Sequence, residues 1–230
     1  MTEIQTTFQY AMSSNNAWAG YKAHQNPSFF QQLATSQTPQ ILWIGCSDSR
    51  CPETTILGLQ PGDVFVHRNI GNIVSGSDLN TSAVIDYAVA HLRVKHIILC
   101  GHTGCGGATA ALHDTPVGGV LDVWLTPLRA IRREHADELA AITDVKARAV
   151  RIAELNVESG ARALMANLTV QEAVQERGLE VHGVIFELDS GRMHDLGVGT
   201  GRSTAHAKSI VRGKHAALVF AGDNASMAVR

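Results

Sequence analysis

Several features that mark particular classes of protein are scarce or missing in this sequence of 230 residues. Aromatic residues make up only 5% of it, which is too few for the stacking surface of a single-stranded nucleic-acid binder. Nineteen basic residues stand against 21 acidic ones, so the basic excess of a nucleic-acid-binding protein is also missing. No uninterrupted apolar run approaches the roughly 20 residues of a membrane helix. We therefore expect neither a nucleic-acid partner nor a membrane span.

Cysteine is sparse as well. Four cysteines, Cys46, Cys51, Cys100 and Cys105, do not form a disulfide framework in a chain of this length, so we expect a reducing compartment. The first residues have neither the basic flank nor the apolar core of a secretory signal, and no arginine precedes Arg50. These features predict a cytoplasmic protein, or a mitochondrial one if a transit peptide is missing from the sequence.

What the sequence does contain is enough apolar material for a core. Apolar residues make up 45% and charged residues 17%, whereas soluble domains average about 25% charged. We predict a single domain over 1–230, with an N-terminal helical arm at about 1–25 and a poorly defined C-terminal extension at about 200–230. Eleven histidines are a first indication of metal or proton chemistry.

Short apolar runs alternate with segments of helical periodicity. The runs predict strands at 41–44, 64–66, 96–100 and 181–188. Helices are expected at 27–34, 78–93, 121–141, 144–168 and after a capping box at Thr169 and Glu172, ending at Gly178. A turn at 189–191 and a run at 193–198 predict an antiparallel edge strand. The expected fold is α/β, with a mostly parallel central sheet of about four parallel strands plus that edge strand, flanked by helices.

Metal-binding side chains follow two of the predicted strands. Cys46 comes directly after the first strand, and His102 and Cys105 follow the third. Ligand sites of parallel sheets form at the carboxyl ends of strands, where strand order reverses, so we expect these three side chains to meet. Cys, His and Cys with an open fourth position are typical of catalytic zinc. Two thiolates cancel the charge of the dication, so we expect help from neighbouring groups, for which Asp48 and Arg50 are the nearest candidates.

Other interpretations of these residues exist. Cys51 and Cys100 are most simply core residues, although Cys100 could complete a closed four-ligand site. Asp48 and Arg50 could form only a local salt bridge. The glycines at 101–107 are not a nucleotide-binding loop, because they lack both a Gly-Lys-Ser/Thr ending and the third glycine of a dinucleotide fingerprint.

Two motifs carry a resemblance to a known family. Cys46-Ser47-Asp48-Ser49-Arg50 and Gly101-His102-Thr103-Gly104-Cys105-Gly106-Gly107 resemble the two signature motifs of the β-class carbonic anhydrases. The segment His67-Arg68-Asn69-Ile70-Gly71-Asn72 lies between them at matching spacing, and the resemblance covers roughly 26–198. It implies a lyase that hydrates carbon dioxide reversibly to bicarbonate and a proton, by attack of a zinc hydroxide.

The resemblance also implies residue roles. One Zn²⁺ per subunit is held by Cys46, His102 and Cys105, and Asp48 with Arg50 forms the family's gating and orienting dyad. At the substrate site, Gln37 resembles the amide that holds bicarbonate and Phe65 and Tyr87 resemble the aromatic walls of the pocket. Gly104 is assigned to the same site.

The resemblance implies a homodimer or a dimer of dimers, because part of the pocket comes from a partner subunit. Apolar residues at Phe8, Met12, Trp18 and Tyr21 agree, since they need a surface to cover. Alternatives to carbonic anhydrase activity are hydrolysis of carbon disulfide or carbonyl sulfide on the same scaffold, and a zinc-stabilised module without catalysis.

Regulation by bicarbonate is a further possibility that the resemblance raises. Trp43 and Arg68 match two residues of the bicarbonate site of some family members, but the tyrosine of that site falls on Phe186. Since phenylalanine has no hydroxyl, we expect Trp43 and Phe186 to pack in the core instead.

Overall fold

A five-stranded sheet forms the centre of the computed structural model, which describes residues 6–200. The strands are β1 (Ile41–Cys46), β2 (Val64–Asn69), β3 (His96–His102), β4 (Glu180–Glu187) and β5 (Arg192–Gly199). Their order is β2-β1-β3-β4-β5; the first four are parallel and β5 pairs antiparallel with β4. The predicted α/β fold is confirmed. The predicted C-terminal extension lies almost wholly outside the described residues.

Helices connect the strands and cover the sheet. They are α1 (Thr7–Gln25), α2 (Phe29–Thr35), α3 (Glu53–Leu57), α4 (Leu79–Asp86), α5 (Gly106–Ala111), α6 (Val120–Trp124), α7 (Thr126–Glu134), α8 (Ala136–Ala140), α9 (Val145–Ala166) and α10 (Leu168–Arg177). A 3₁₀ turn, Ile70–Asn72, follows β2, and a π-helical turn, Tyr87–His91, continues α4. No helix within residues 6–200 is long and apolar enough to cross a bilayer.

The sheet buries apolar side chains on both faces. Leu42 and Ile44 of β1 belong to the large cluster on the α9 side, and Trp43 belongs to a smaller cluster on the other side. Helix α9 lies so close to the sheet that a Cβ on Gly101 would stand 2.8 Å from Val157. Glycine at this position therefore allows α9 to lie directly behind the end of β3.

The predicted helix over 121–141 is wrong in detail. The structure has three short helices there, α6, α7 and α8, and Pro127 lies in the first turn of α7. Proline has no backbone N–H and fits the first turn of a helix but not the interior, so one continuous helix is disfavoured.

The predicted capping box at Thr169 and Glu172 is also wrong. Asn167 caps α10 instead, because its side chain accepts a 3.1 Å hydrogen bond from the backbone N–H of Val170. The Thr169 hydroxyl donates to Asp86 at 3.0 Å. The predicted stop at Gly178 is correct, since this residue ends α10 with a φ of +69°.

Helix α1 corresponds to the predicted N-terminal arm. It begins with a capping box between Thr6 and Gln9 and buries none of its residues in the single chain. Trp18 contacts Phe30 of α2 with ring centroids 5.7 Å apart, and Nζ of Lys22 lies 5.7 Å from the centroid of the Phe29 ring. Phe8 and Tyr10 remain exposed, which leaves an apolar surface on the arm.

Candidate metal centre

Three metal-binding side chains meet between β1 and β3, where the strand order reverses. Cys46 is the last residue of β1, His102 is the last residue of β3, and Cys105 precedes the first turn of α5. Their ligand atoms all lie within 4.8 Å of one another. The three residues are buried, with 7%, 1% and 4% of their surfaces exposed. The sheet topology therefore collects donors that are 56 residues apart in the sequence into one site.

The imidazole of His102 is oriented for metal binding. Its Nδ1 lies 3.0 Å from the carbonyl oxygen of Thr103, which can only accept, so Nδ1 carries the proton. Nε2 then presents a lone pair, and this buried nitrogen has no hydrogen-bond partner within residues 6–200. A buried polar atom without a partner is costly. A metal ion at this position would satisfy it.

The thiols of Cys46 and Cys105 influence each other's ionisation. A hydrogen bond from Cys105 is the largest cause that holds the pKa of Cys46 well below its usual range, and backbone N–H groups lower it further. The amide of Gly71 is one of these, 3.4 Å from the Cys46 sulfur. The same bond to Cys46, together with burial, raises the pKa of Cys105. Metal ligands must be deprotonated, so both cysteines would hold an ion as thiolates. Two thiolates and an imidazole with a fourth position open fit zinc.

A tight turn brings Cys105 back to the end of β3. Gly104 has a φ of +67°, a left-handed conformation that disfavours side chains. The Thr103 amide donates to the carbonyl of Phe186 at 3.0 Å, and the Thr103 hydroxyl accepts from the Leu188 amide at 3.0 Å. The neighbouring strand β4 thus anchors the turn between His102 and Cys105.

Asp48 and Arg50 form a bidentate ion pair at the rim of the site. Arg50 donates from Nε to Oδ1 at 2.9 Å and from Nη2 to Oδ2 at 2.7 Å, and its Nη2 also lies 3.2 Å from the Gly104 carbonyl. These bonds hold the pKa of Asp48 well below its usual range. Oδ2 of Asp48 lies 3.9 Å from Nε2 of His102. An anionic oxygen therefore faces the space that the three donors enclose.

Two residues to which the sequence analysis gave no role at this site support it. Arg68 donates from Nε to the Cys46 carbonyl at 2.8 Å and from Nη2 to the Asp48 carbonyl. Asn156 of α9, 5% exposed, donates to the Gly71 carbonyl at 2.8 Å. The sequence held one signal for the role of Asn156, which is that a polar residue occupies a position where α9 is otherwise buried. Its partner 85 residues away could not be read from the sequence.

The predicted substrate residues are only partly brought together. Phe65 and Tyr87 lie in contact, with ring centroids 5.6 Å apart, and both line an open, mostly apolar cavity of about 550 Å³. None of the three metal-binding residues lines that cavity. Gln37 is exposed in the loop between α2 and β1, and its side chain makes no hydrogen bond within residues 6–200.

The remaining cysteines are core residues. Cys51 and Cys100 are each 3% exposed and pack in the small cluster with Trp43 and Phe186. Burial raises the pKa of Cys51 to about 11 and also raises that of Cys100. Neither thiol is activated as a ligand, and Trp43 and Phe186 pack in the core as expected. The indole N–H of Trp43 has no hydrogen-bond partner there.

Comparison with known proteins gives a consistent result. The sequence profile of a family described as carbonic anhydrase matches residues 41–193. A carbonic anhydrase of Emericella nidulans is 45% identical over 196 residues, which cover 85% of this chain and 86% of that protein. A crystal structure described as a tetrameric β-carbonic anhydrase from Sordaria macrospora is 69% identical, with a TM-score of 0.84, covering 85% of this chain and 99% of the other. The β-carbonic anhydrase CafA of Aspergillus fumigatus is 52% identical with a TM-score of 0.81, covering 83% and 90%.

Proposed function

This chain belongs to the carbonic anhydrase family, as an enzyme of its β class, and on that premise we propose that it hydrates carbon dioxide reversibly with one zinc ion per chain. Cys46, His102 and Cys105 would hold the ion. The observation that carries this proposal is the buried Nε2 of His102, which has no hydrogen-bond partner among the described residues and lies within 4.8 Å of the two cysteine sulfurs. Zinc, when bound there, supplies a Lewis acid that lowers the pKa of water and so makes hydroxide available near neutral pH for attack on carbon dioxide.

Asp48 orients the attacking group in this proposal. Its pKa is held low by Arg50, so the side chain is a carboxylate throughout the neutral range and can only accept hydrogen bonds. Oδ2, at 3.9 Å from Nε2 of His102, is the oxygen that faces the site. A hydroxyl group at the site would donate its hydrogen to Oδ2, which directs an oxygen lone pair towards the substrate.

Arg50 keeps Asp48 available for that role. Its guanidinium binds both carboxylate oxygens while it also donates to the Gly104 carbonyl, so it ties the β1 end to the turn after β3. A carboxylate released from this fork is itself a possible zinc ligand, which would close the open position. We propose that the ion pair prevents this.

Carbon dioxide is apolar and needs an apolar surface beside the site rather than hydrogen-bond donors. Phe65 and Tyr87 offer one, but Tyr87 is 47% exposed in the single chain and the cavity is open. We propose that the chain forms a dimer or a dimer of dimers, in which a second copy completes the pocket. In that assembly Gln37 would also line the pocket. The exposed apolar residues of α1 support this assembly, as does the tetrameric state of the Sordaria macrospora relative.

The first experiment compares the cysteines. Zinc that survives gel filtration and the carbon dioxide hydration rate by stopped flow are measured for Cys46→Ser, His102→Ala and Cys105→Ser. Each of these variants should lose the tightly held zinc and most of the rate. Cys100→Ala is the matched control. This buried thiol lies in β3, the strand that ends at His102, and should not be needed for zinc binding. Full zinc and full rate in any of the three ligand variants would contradict the proposal.

The second experiment tests the dyad. Asp48→Asn keeps the shape but replaces an anionic acceptor, so the rate should fall by about 10- to 100-fold, the range for loss of a hydrogen bond to a charged group. Tightly held zinc should remain at one per chain. Wild-type rates in Asp48→Asn would instead make the pair a structural salt bridge.

A further inference from the structure

A second group of metal-binding side chains lies at the opposite end of the same sheet. His96 is the first residue of β3, and Glu180 and His182 are the first and third residues of β4. His96 and the metal-binding His102 are six residues apart in one strand, so the two groups are separated by about 20 Å. This second group has no part in the proposed reaction.

Strand register places the three side chains together. His96 is aligned with Glu180 in the parallel β3–β4 pair, and His182 follows Glu180 by two residues. Alternate residues of a strand project from the same face, so all three lie on one face of the sheet. Because paired strands carry them, little backbone freedom remains to be lost when a ligand binds.

The distances between the donor atoms match those of a metal site. Nδ1 of His96 lies 3.3 Å from Nε2 of His182, and Oε2 of Glu180 lies 3.8 Å and 3.4 Å from these two nitrogens. A circle through three points with these separations has a radius of about 2.0 Å, which is the length of a zinc–nitrogen or zinc–carboxylate bond. One ion could therefore contact all three atoms without movement of the backbone.

Hydrogen bonding explains the arrangement less well. The 3.3 Å separation of the two ring nitrogens is longer than the usual 2.9–3.0 Å of an N–H donor and its acceptor. No lysine or arginine among residues 6–200 forms an ion pair with Glu180. Side-chain exposures of 40%, 52% and 25% for His96, Glu180 and His182 leave room for water to complete the coordination.

We propose that His96, Glu180 and His182 form a second site for a divalent transition metal of the zinc type, with solvent as the remaining ligands. Two neutral imidazoles and a carboxylate suit zinc and its neighbours in the first row, whereas calcium and magnesium prefer oxygen alone. The ion would link β3 to β4 close to Thr200, whose hydroxyl accepts from the Val181 amide at 2.7 Å and where the described chain ends.

Zinc is the probe that tests this proposal. The zinc-loaded enzyme is titrated with Zn²⁺ by calorimetry, and wild type should bind one further equivalent per chain and unfold at a higher temperature when zinc is added. His96→Ala/His182→Ala should lose both effects and keep its hydration rate. These side chains are partly exposed, so the variant should fold, which circular dichroism checks. Glu180→Gln should weaken the additional binding at least tenfold.

Two controls locate the additional equivalent. His135→Ala removes a histidine that has a carboxylate partner, Glu138 at 3.2 Å, but belongs to no cluster of metal-binding side chains within residues 6–200, and should bind like wild type. His206→Ala/His215→Ala removes histidines outside the described residues and should also bind like wild type. Loss of the equivalent in either control, or its persistence in His96→Ala/His182→Ala, would overturn the proposal.

The proposal is independent of the catalytic assignment, and one more variant shows this. Cys46→Ser should still bind one equivalent at the second site, whether or not it has lost zinc and activity at the first. In crystals soaked with zinc, an anomalous peak bonded to His96 and His182 would identify the ligands directly. A peak elsewhere, with neither histidine in contact, would contradict them.

Discussion

The hydrogen bond from Asn156 to Gly71 gives a test of how the core of the molecule supports the metal centre. Asn156 projects from α9 and donates to the Gly71 carbonyl at 2.8 Å, while the Gly71 amide donates to the sulfur of Cys46. Leucine branches at Cγ as asparagine does and is larger, but it has no donor. Asn156→Leu should therefore leave the Gly71 carbonyl without its partner and loosen the amide that stabilises the Cys46 thiolate.

The expected magnitudes follow from burial. Asn156 is 5% exposed, and a buried acceptor without a partner costs about 1–3 kcal/mol. For a chain of this size that corresponds to a lower melting temperature by about 2–4 °C for each kcal/mol. Loss of a group that orients a metal ligand typically weakens metal binding by about 10- to 100-fold, so zinc should pass to a competing chelator at correspondingly lower chelator concentration.

A matched control separates these two effects. Asn167→Ala removes the N-cap of α10, which should cost about 1 kcal/mol of stability without a change near Cys46. Unfolding by urea and zinc affinity by chelator competition are measured for both variants. If Asn156→Leu holds zinc within twofold of Asn167→Ala, Gly71 does not need Asn156 to stabilise the thiolate, and the reasoning is refuted.

Three further predictions concern stability. Arg151→Met removes the cation 3.0 Å from the fully buried carboxylate of Glu154, and should lower the free energy of unfolding by about 3–5 kcal/mol in urea, whereas a loss below 1 kcal/mol would contradict this. Gly101→Ala places a Cβ 2.8 Å from side chains of α9 and β4, and this overpacking should lower the free energy of unfolding by about 1–3 kcal/mol. An unchanged melting temperature would show that α9 moves away from the new methyl group at little cost. Burial lowers the pKa of His67, so as pH falls below about 6.5 the unfolded chain takes up a proton before the folded chain does and stability falls. His67→Gln should lose less stability than wild type between pH 7 and pH 5, and equal losses would exclude this origin.

Local patterns were sufficient for much of the fold. Continuous apolar runs such as that of β1 are typical of strands covered on both faces, and they predicted the parallel sheet. Helix boundaries were less predictable, because two residues close together in the sequence can each be a good N-cap. Asn167 and Thr169 are both good N-caps, and packing, with Thr169 bound to Asp86, decided between them. Pro127, in contrast, was a visible signal that one long helix over 121–141 was unfavourable.

The cluster of Cys46, His102 and Cys105 was predictable from sequence because these residues lie in two short motifs at strand ends. The carboxyl ends of parallel strands lie at one edge of the sheet. Because Cys46 and His102 each end a strand, the sequence predicts that they are close together. The residues that hold those donors were not predictable in the same way. Arg68 and Asn156 act through carbonyl groups 20 to 85 residues away, and such contacts exist only once β2 and α9 have packed.

The second group of donors shows why strand register matters more than composition. His96, Glu180 and His182 lie in strands whose order along the chain gives no information on their alignment, and the sequence analysis gave them no role. A slip of one residue between β3 and β4 would move Glu180 and His182 to the opposite face from His96 and separate the three donor atoms. The observed register is fixed by the apolar residues further along both strands, where Leu99 and Ile185 must face the α9 core. Core packing at one end of the sheet therefore determines which polar side chains meet at the other end, and a site formed in this way can be recognised only from the folded chain.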